Sequence, residues 1–173
     1  MDFPNIIGPS GPIKIDALIS VIKTHLNTLE TSITSLETYL ATGPRVFQPA
    51  AIKIGTSQAA DVLMQQPLII LNEGALITVA ASEIDISGLA GTATAVAASK
   101  KYRCLLTAAL ADGTINFVQG EEVVSTATPV TPAATTGTIG FGYVEITTSG
   151  ETTFGTTALT SIATFHDLIT PLS

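Results

Sequence analysis

Lys101-Tyr-Arg-Cys-Leu-Leu-Thr-Ala-Ala-Leu-Ala-Asp-Gly-Thr-Ile-Asn-Phe-Val118 is the stretch that decides the fold class. Two apolar, β-prone runs, Lys101 to Ala108 and Thr114 to Val118, flank Asp112-Gly113, a pair that tolerates the positive φ angles of a type I′ turn. The spacing predicts a β-hairpin, and with it an antiparallel domain.

Working outward, further short β segments follow at Ala51 to Ile54, Pro67 to Leu71, Leu76 to Ala80, Ile84 to Ile86, Thr138 to Ile146 and Ser161 to His166. Asn72-Glu73-Gly74 reads as a second, looser hairpin. Many short strands divided by turn residues predict an antiparallel β-sandwich or barrel over residues 46–173. The polar, proline-broken run from Val124 to Thr138 reads as a long exposed crossover. Gly88 to Ala98 is a second segment of small residues, with loop mobility expected there.

A different periodicity governs the start of the chain. Ile15, Leu18, Ile22, Leu26, Leu29, Ile33, Leu36 and Leu40 are spaced by 3, 4, 4, 3, 4, 3 and 4 residues, a heptad-like pattern with one stutter between Ile22 and Leu26. The spacing predicts a helix over residues 13–42, stopped by Gly43 and Pro44. Thr24, Thr28, Thr31, Thr34 and Thr38 lie between the apolar positions, and β-branched side chains are poor helix formers. Such a helix needs support from other chains or from its own domain. Ile and Leu mixed at both core positions favour a parallel coiled-coil trimer. The alternative is a single amphipathic helix laid on the sheet of its own subunit.

Residues 1–12, Met-Asp-Phe-Pro-Asn-Ile-Ile-Gly-Pro-Ser-Gly-Pro, hold three prolines and two glycines, so an extended arm is expected. Phe3, Ile6 and Ile7 are its apolar hooks and the candidates for contact with a neighbouring protein, or with the chain's own β domain. The segment lacks a basic region followed by a long apolar one, so no secretory signal is read and synthesis in a cytoplasm is expected. The lone Cys104 rules out an intrachain disulfide.

Composition narrows the partners. Only 12% of the 173 residues are charged, about half of the roughly 25% usual for globular domains, and mean hydropathy is +0.48. No apolar run approaches the roughly 18 residues of a spanning helix, so other subunits rather than a membrane are expected to cover this surface. All seven Lys and Arg fall in residues 1–103, beside eight of the fourteen Asp and Glu, and residues 104–173 hold only the other six acids. Without a cationic cluster there is no footprint for a phosphate backbone, and direct nucleic-acid binding is not expected.

Reactive constellations are sparse. His25 and His166 are isolated, short of the clustered ligands a metal wants. Glu83 and Asp85 alternate on a β segment and share a face, the arrangement of a carboxylate pair or a calcium set, with a solvated strand face as the plainer reading. Glu121-Glu122 reads as an acidic turn, and Gly137-Thr-Ile-Gly-Phe-Gly142 lacks the lysine and helix start of a phosphate loop. Cys104 sits in an apolar run and reads as core. No catalytic residue, cofactor site or metal site is therefore assigned, and the protein reads as a non-enzymatic component of an assembly.

One resemblance adds to this. Lys101-Tyr-Arg with Leu105-Leu, Asp112-Gly-Thr-Ile-Asn-Phe-Val-Gln-Gly, Ile139-Gly-Phe-Gly-Tyr-Val-Glu-Ile and Phe154-Gly-Thr-Thr-Ala-Leu, spread over residues 95–167, resemble β domains of tailed-bacteriophage virion proteins of the capsid decoration (cement) and head-fibre types. The resemblance implies a homotrimer on the outside of a phage capsid, bridging major capsid proteins and stabilising the shell, on a particle made in a bacterial cytoplasm. A tail or head fibre, with the coiled coil as stem and the β domain as receptor-binding module, is the alternative. A small hydrolase acting through Glu83 and Asp85 is a third reading.

Overall fold

The computed structural model describes residues 15–41, 43–89 and 93–168, with helix side chains described over residues 17–38. The chain divides into two compact units, Met1–Thr42 and Gly43–Ser173.

The described part of the first unit is one helix, α1 (Ile15–Ala41), within the span expected from the sequence. Its many hydroxyls do not break it, because they turn back on the helix itself. Thr24, Thr28 and Thr31 donate to the carbonyls of Ser20, Thr24 and Asn27, and Ser32, Thr34, Ser35 and Thr38 repeat the pattern four residues back each time, at 2.8 to 3.0 Å. This bonding competes mildly with the helical ladder but satisfies each hydroxyl locally. Two residues beyond α1, Gly43 takes φ +85°, the left-handed backbone that glycine supplies past helix ends.

The second unit is mainly β: β1 (Arg45–Gln48), β2 (Ile52–Ile54), β3 (Asp61–Met64), β4 (Leu68–Asn72), β5 (Ala75–Val79), β6 (Glu83–Asp85), β7 (Lys100–Ala109), β8 (Ile115–Gln119), β9 (Val123–Val124), β10 (Thr138–Thr147) and β11 (Ala163–Asp167). Among the described residues these make three antiparallel sheets, ordered β1-β4-β5, β2-β3-β6 and β11-β10-β7-β8, with β9 also on β7. The sandwich-or-barrel expectation thus loses its barrel alternative. Strands β1 to β6 are only three to five residues long and ladder among themselves, so no continuous ring of hydrogen bonds closes. Among the described residues no helix is long and apolar enough to cross a membrane.

Strand interiors follow from alternation. On β7, Tyr102, Cys104 and Leu106 point into the core while Lys101 and Arg103 stand on the other face. Val46, Val62, Met64, Leu68, Ile70, Phe117, Phe141, Val144, Ile146 and Leu159 join them in one cluster fed by all three sheets. Each fully buried large side chain of this kind contributes about 1.5–3 kcal/mol, and this shared core holds the short sheets together. Two glycines allow the close approach. A Cβ on Gly142 would lie 2.5 Å from Ile52 Cδ1, and one on Gly140 would lie 2.8 Å from Leu105 Cδ1. The glycine-rich run from Gly137 to Gly142 is therefore a packing feature of β10, which bulges between Gly140 and Gly142.

The two hairpins exchange roles relative to the sequence reading. The tight turn is Glu73-Gly74, where both residues have positive φ and Asn72 pairs directly with Ala75, as a type I′ turn requires. The loop at Asp112-Gly113 is the wider one. There only Gly113 is at positive φ, its amide donates to Ala109 four residues back, and the Asp112 carboxylate accepts from the Thr114 amide. The longer loop arises because an aspartate side chain can bond the amide two residues on, which makes a turn by itself.

The segment from Ser125 to Gly137 carries no strand, as expected for a crossover. The small-residue segment from Gly88 to Ala98 is partly outside the described residues, but Val96 is buried and bridges Thr152.

Candidate assembly surface

The residues picked out as the helical seam can be placed individually. Ile15 and Leu40 lie in α1, with side chains outside the described set. Leu18, Ile22, Leu26, Leu29, Ile33 and Leu36 are all exposed, Leu26, Leu29 and Leu36 at 57%, 58% and 61%. Phe3, Ile6 and Ile7 lie outside the described residues.

Ile19, which the sequence reading did not single out, is also exposed. With Ile19 in the place of Leu18 the spacing from Ile15 to Leu40 becomes an uninterrupted 4, 3, 4, 3, 4, 3, 4. An unbroken heptad lets helices stay in contact along their whole length, whereas a stutter unwinds them locally. The signal was present in the sequence, hidden because Leu18 and Ile19 are adjacent and both apolar.

On this register Leu18, His25 and Ser32 flank one side of the seam and Lys23, Glu30 and Glu37 the other. The His25 ring Nδ1 lies 2.9 Å from the Val21 carbonyl oxygen, which turns the ring along its own helix. The remaining surface is the hydroxyl-rich face whose oxygens are bonded inward.

In the β unit, the other sequence candidates resolve into structural roles. Glu83 and Asp85 do share a face, both exposed beside buried Ile84. Each is occupied by a turn. Glu83 accepts from the Thr56 amide at 2.7 Å, and Asp85 accepts from the Ser87 amide at 2.9 Å. Hydrogen bonds from Thr56 hold the Glu83 carboxyl below its ordinary range, and those from Ser87 do the same for Asp85, so both are anionic turn caps. Cys104 is fully buried, and burial pushes its thiol up, away from nucleophilic use. Among the described residues no group of three or more His, Cys, Asp or Glu converges on a point.

The most organised polar group lies on the outer face of the largest sheet. Glu145 on β10 takes Arg103 Nη2 at 2.7 Å and Lys101 Nζ at 2.8 Å, both from β7. The hydrogen bond from Lys101 foremost, with Arg103 adding to it, holds the Glu145 carboxyl below the ordinary glutamate range and outweighs the opposing effect of burial. Arg103 also donates to Thr131 of the crossover at 3.0 Å and lies 4.7 Å above the ring of Tyr143. Tyr143 in turn stacks on His166 of β11 at 4.6 Å. The sequence signal for this row was weak: Lys101 and Arg103 alternate, Tyr143 and Glu145 alternate, and the pairing register that aligns them is set by the bulge at Gly140.

An open groove of about 690 Å³ runs along Thr94, Val96, Gln119, Glu121 and Glu122. Gln119 bridges it by bonding Thr94, and among the described residues its charged lining is Glu121 and Glu122, the latter paired with Lys100.

No family model matches the chain, and neither a curated protein nor a solved structure matches it.

Proposed function

We propose that this chain is a structural virion protein that trimerises through α1 and binds the outside of a phage capsid, cementing the shell. The observation that carries the reading is the apolar stripe from Leu18 to Leu36, with exposed side chains on a helix with few charges. An isolated helix whose apolar side faces water forgoes about 1.5–3 kcal/mol for each large side chain left uncovered. Sister helices recover that energy, and Ile and Leu mixed along the seam favour three strands.

The shell as partner is supported by the low charge of the chain, by acidic rather than basic character in residues 104–173, and by the resemblance to decoration proteins read from the sequence. In this reading Phe3, Ile6 and Ile7 contact the major capsid protein. Light scattering on the purified protein tests the trimer, and co-sedimentation with expanded empty capsids tests the partner. A monomer that stays in the supernatant refutes both.

A second reading, a head or tail fibre with a coiled stem, draws on the stacked Tyr143 and His166 beside Arg103 and Glu145, an aromatic and polar surface suited to a glycan. Adsorption to cells without any shell binding distinguishes it.

A further inference from the structure

The flanks of the α1 seam carry two side chains suited to an ion pair between copies. His25 and Glu30 are both exposed and stand on opposite sides of Leu26 and Leu29. Their separation of about five residues sets them on different faces of one helix, so they do not meet within a chain. Among the described residues the ion pairs are those of Lys100, Lys101 and Arg103, and Glu30 is in none of them.

The 2.9 Å hydrogen bond between His25 Nδ1 and the Val21 carbonyl fixes which ring nitrogen can change its charge. A carbonyl oxygen only accepts, so Nδ1 carries the hydrogen, and Nε2, on the far side of the ring, is the nitrogen left to take up a proton.

In parallel helices packed in register along a heptad, each flank lies against the opposite flank of the neighbour, with partners offset by about five residues. His25 of one copy then faces Glu30 of the next. Along the same line Lys23 faces Leu18 and Glu37 faces Ser32, so His25 meets an acid and no cation. Either register of the stripe gives this result, because both share Ile22, Leu26, Leu29 and Ile33 around the pair. Within one chain Lys23 and Glu37 each stand two turns from Glu30, about 10 Å along the axis, where salt screens them. Antiparallel packing sets each flank against its own kind, and His25 then faces Leu18, Ser32 or another His25.

We propose that His25 and Glu30 of neighbouring copies form a proton-gated pair, so that the parallel trimer tightens as the imidazole gains its proton and relaxes as it loses it. The proposal rests on the trimeric reading above. Histidine is the side chain whose charge ordinarily changes between about pH 5 and 8. In the neutral ring Glu30 finds no charge, and in the protonated ring each of the three helix interfaces gains one ion pair. Exposed pairs of this kind each shift an equilibrium by roughly twofold, and three together by roughly tenfold.

Sedimentation equilibrium of the full-length protein at about pH 8 and about pH 5.5 brackets the titration of an imidazole. A urea series at each pH brings even a tight trimer into the range where it dissociates. The wild-type association constant is expected to be roughly tenfold higher at the lower pH, and the difference to vanish in molar salt. Glu30→Gln is expected to remove the pH response. His25→Lys, a permanent cation, is expected to make the trimer as tight at the higher pH as the wild type is at the lower. Equal wild-type constants at the two pH values overturn the proposal, and so does a difference that Glu30→Gln keeps in full. A chain monomeric at every concentration and both pH values refutes the trimer and the pairing with it, whereas a trimer indifferent to pH refutes the pairing alone.

Discussion

The guanidinium of Arg103 grips the carboxylate of Glu145 at 2.7 Å directly across the β7–β10 ladder, and the same carboxylate receives Lys101 at 2.8 Å. One acid is thus shared by two cations on a half-buried sheet face, while the adjacent Lys100 pairs with Glu122.

Glu145→Gln is expected to destabilise the β unit by about 1 kcal/mol, the range of a partly screened ion pair, because Lys101 and Arg103 then repel each other without an acceptor charge between them. The folded-state carboxyl lies below its ordinary value, so the unfolded chain binds the proton first as pH falls. Stability from this group is fully present above the ordinary glutamate range near pH 4.3 and is lost on acidification through the lower folded value. Denaturant midpoints measured from pH 6 downward should therefore converge for the wild type and Glu145→Gln.

Leu29→Asp is expected to dissociate the proposed trimer, since a carboxylate from each copy would enter an apolar seam at a cost of several kcal/mol apiece. Light scattering should report the monomer mass, and circular dichroism a loss of helix, because α1 alone lacks support.

Ile19→Ser and Leu18→Ser separate two registers. The uninterrupted heptad requires Ile19 to weaken trimerisation by about 1–3 kcal/mol per chain and Leu18 to do so far less. Equal effects, or the reverse order, in sedimentation equilibrium would restore the stuttered seam.

Gly142→Ala is expected to lose about 1–3 kcal/mol, because its Cβ would meet Ile52 Cδ1 at 2.5 Å and the His166 carbonyl at 3.0 Å. Combining it with Ile52→Val relieves the first clash and should recover part of the loss in thermal unfolding, a non-additivity expected of neighbours in contact.

Cys104 should resist alkylation in the native protein and react at once after unfolding, since its thiol is buried and shifted upward. A thiol titration with and without denaturant checks this.

Much of the architecture was legible in residue order. Strands rich in Val, Ile, Leu and aromatic residues, such as β4, β7, β8 and β10, announced themselves, and the 3-and-4 spacing of Ile and Leu announced α1. β1, β3 and β9 did not. Arg-Val-Phe-Gln is four residues long and ends at a proline, Asp-Val-Leu-Met carries no turn signal of its own, and Val-Val is held only by its pairing with Lys100 and Lys101. Such strands exist because the neighbouring ladder recruits them, an effect of tertiary context that local propensity cannot carry. The turn types at Glu73-Gly74 and Asp112-Gly113 were exchanged for a similar reason, as side-chain capping by Asp112 competes with the tight turn. On the assembly surface, the apolar stripe was legible and its register ambiguous.

The inward-turned hydroxyls of α1 have a consequence for the proposed association of copies. With the Thr oxygens bonded to carbonyls four residues back, the threonines of α1 turn their methyl groups outward. The charged flank of Lys23, Glu30 and Glu37 lies on one side of the seam only, so in the proposed trimer the main driving force is the release of water from hydrocarbon. A trimer of this kind should loosen in the cold, where that driving force fades.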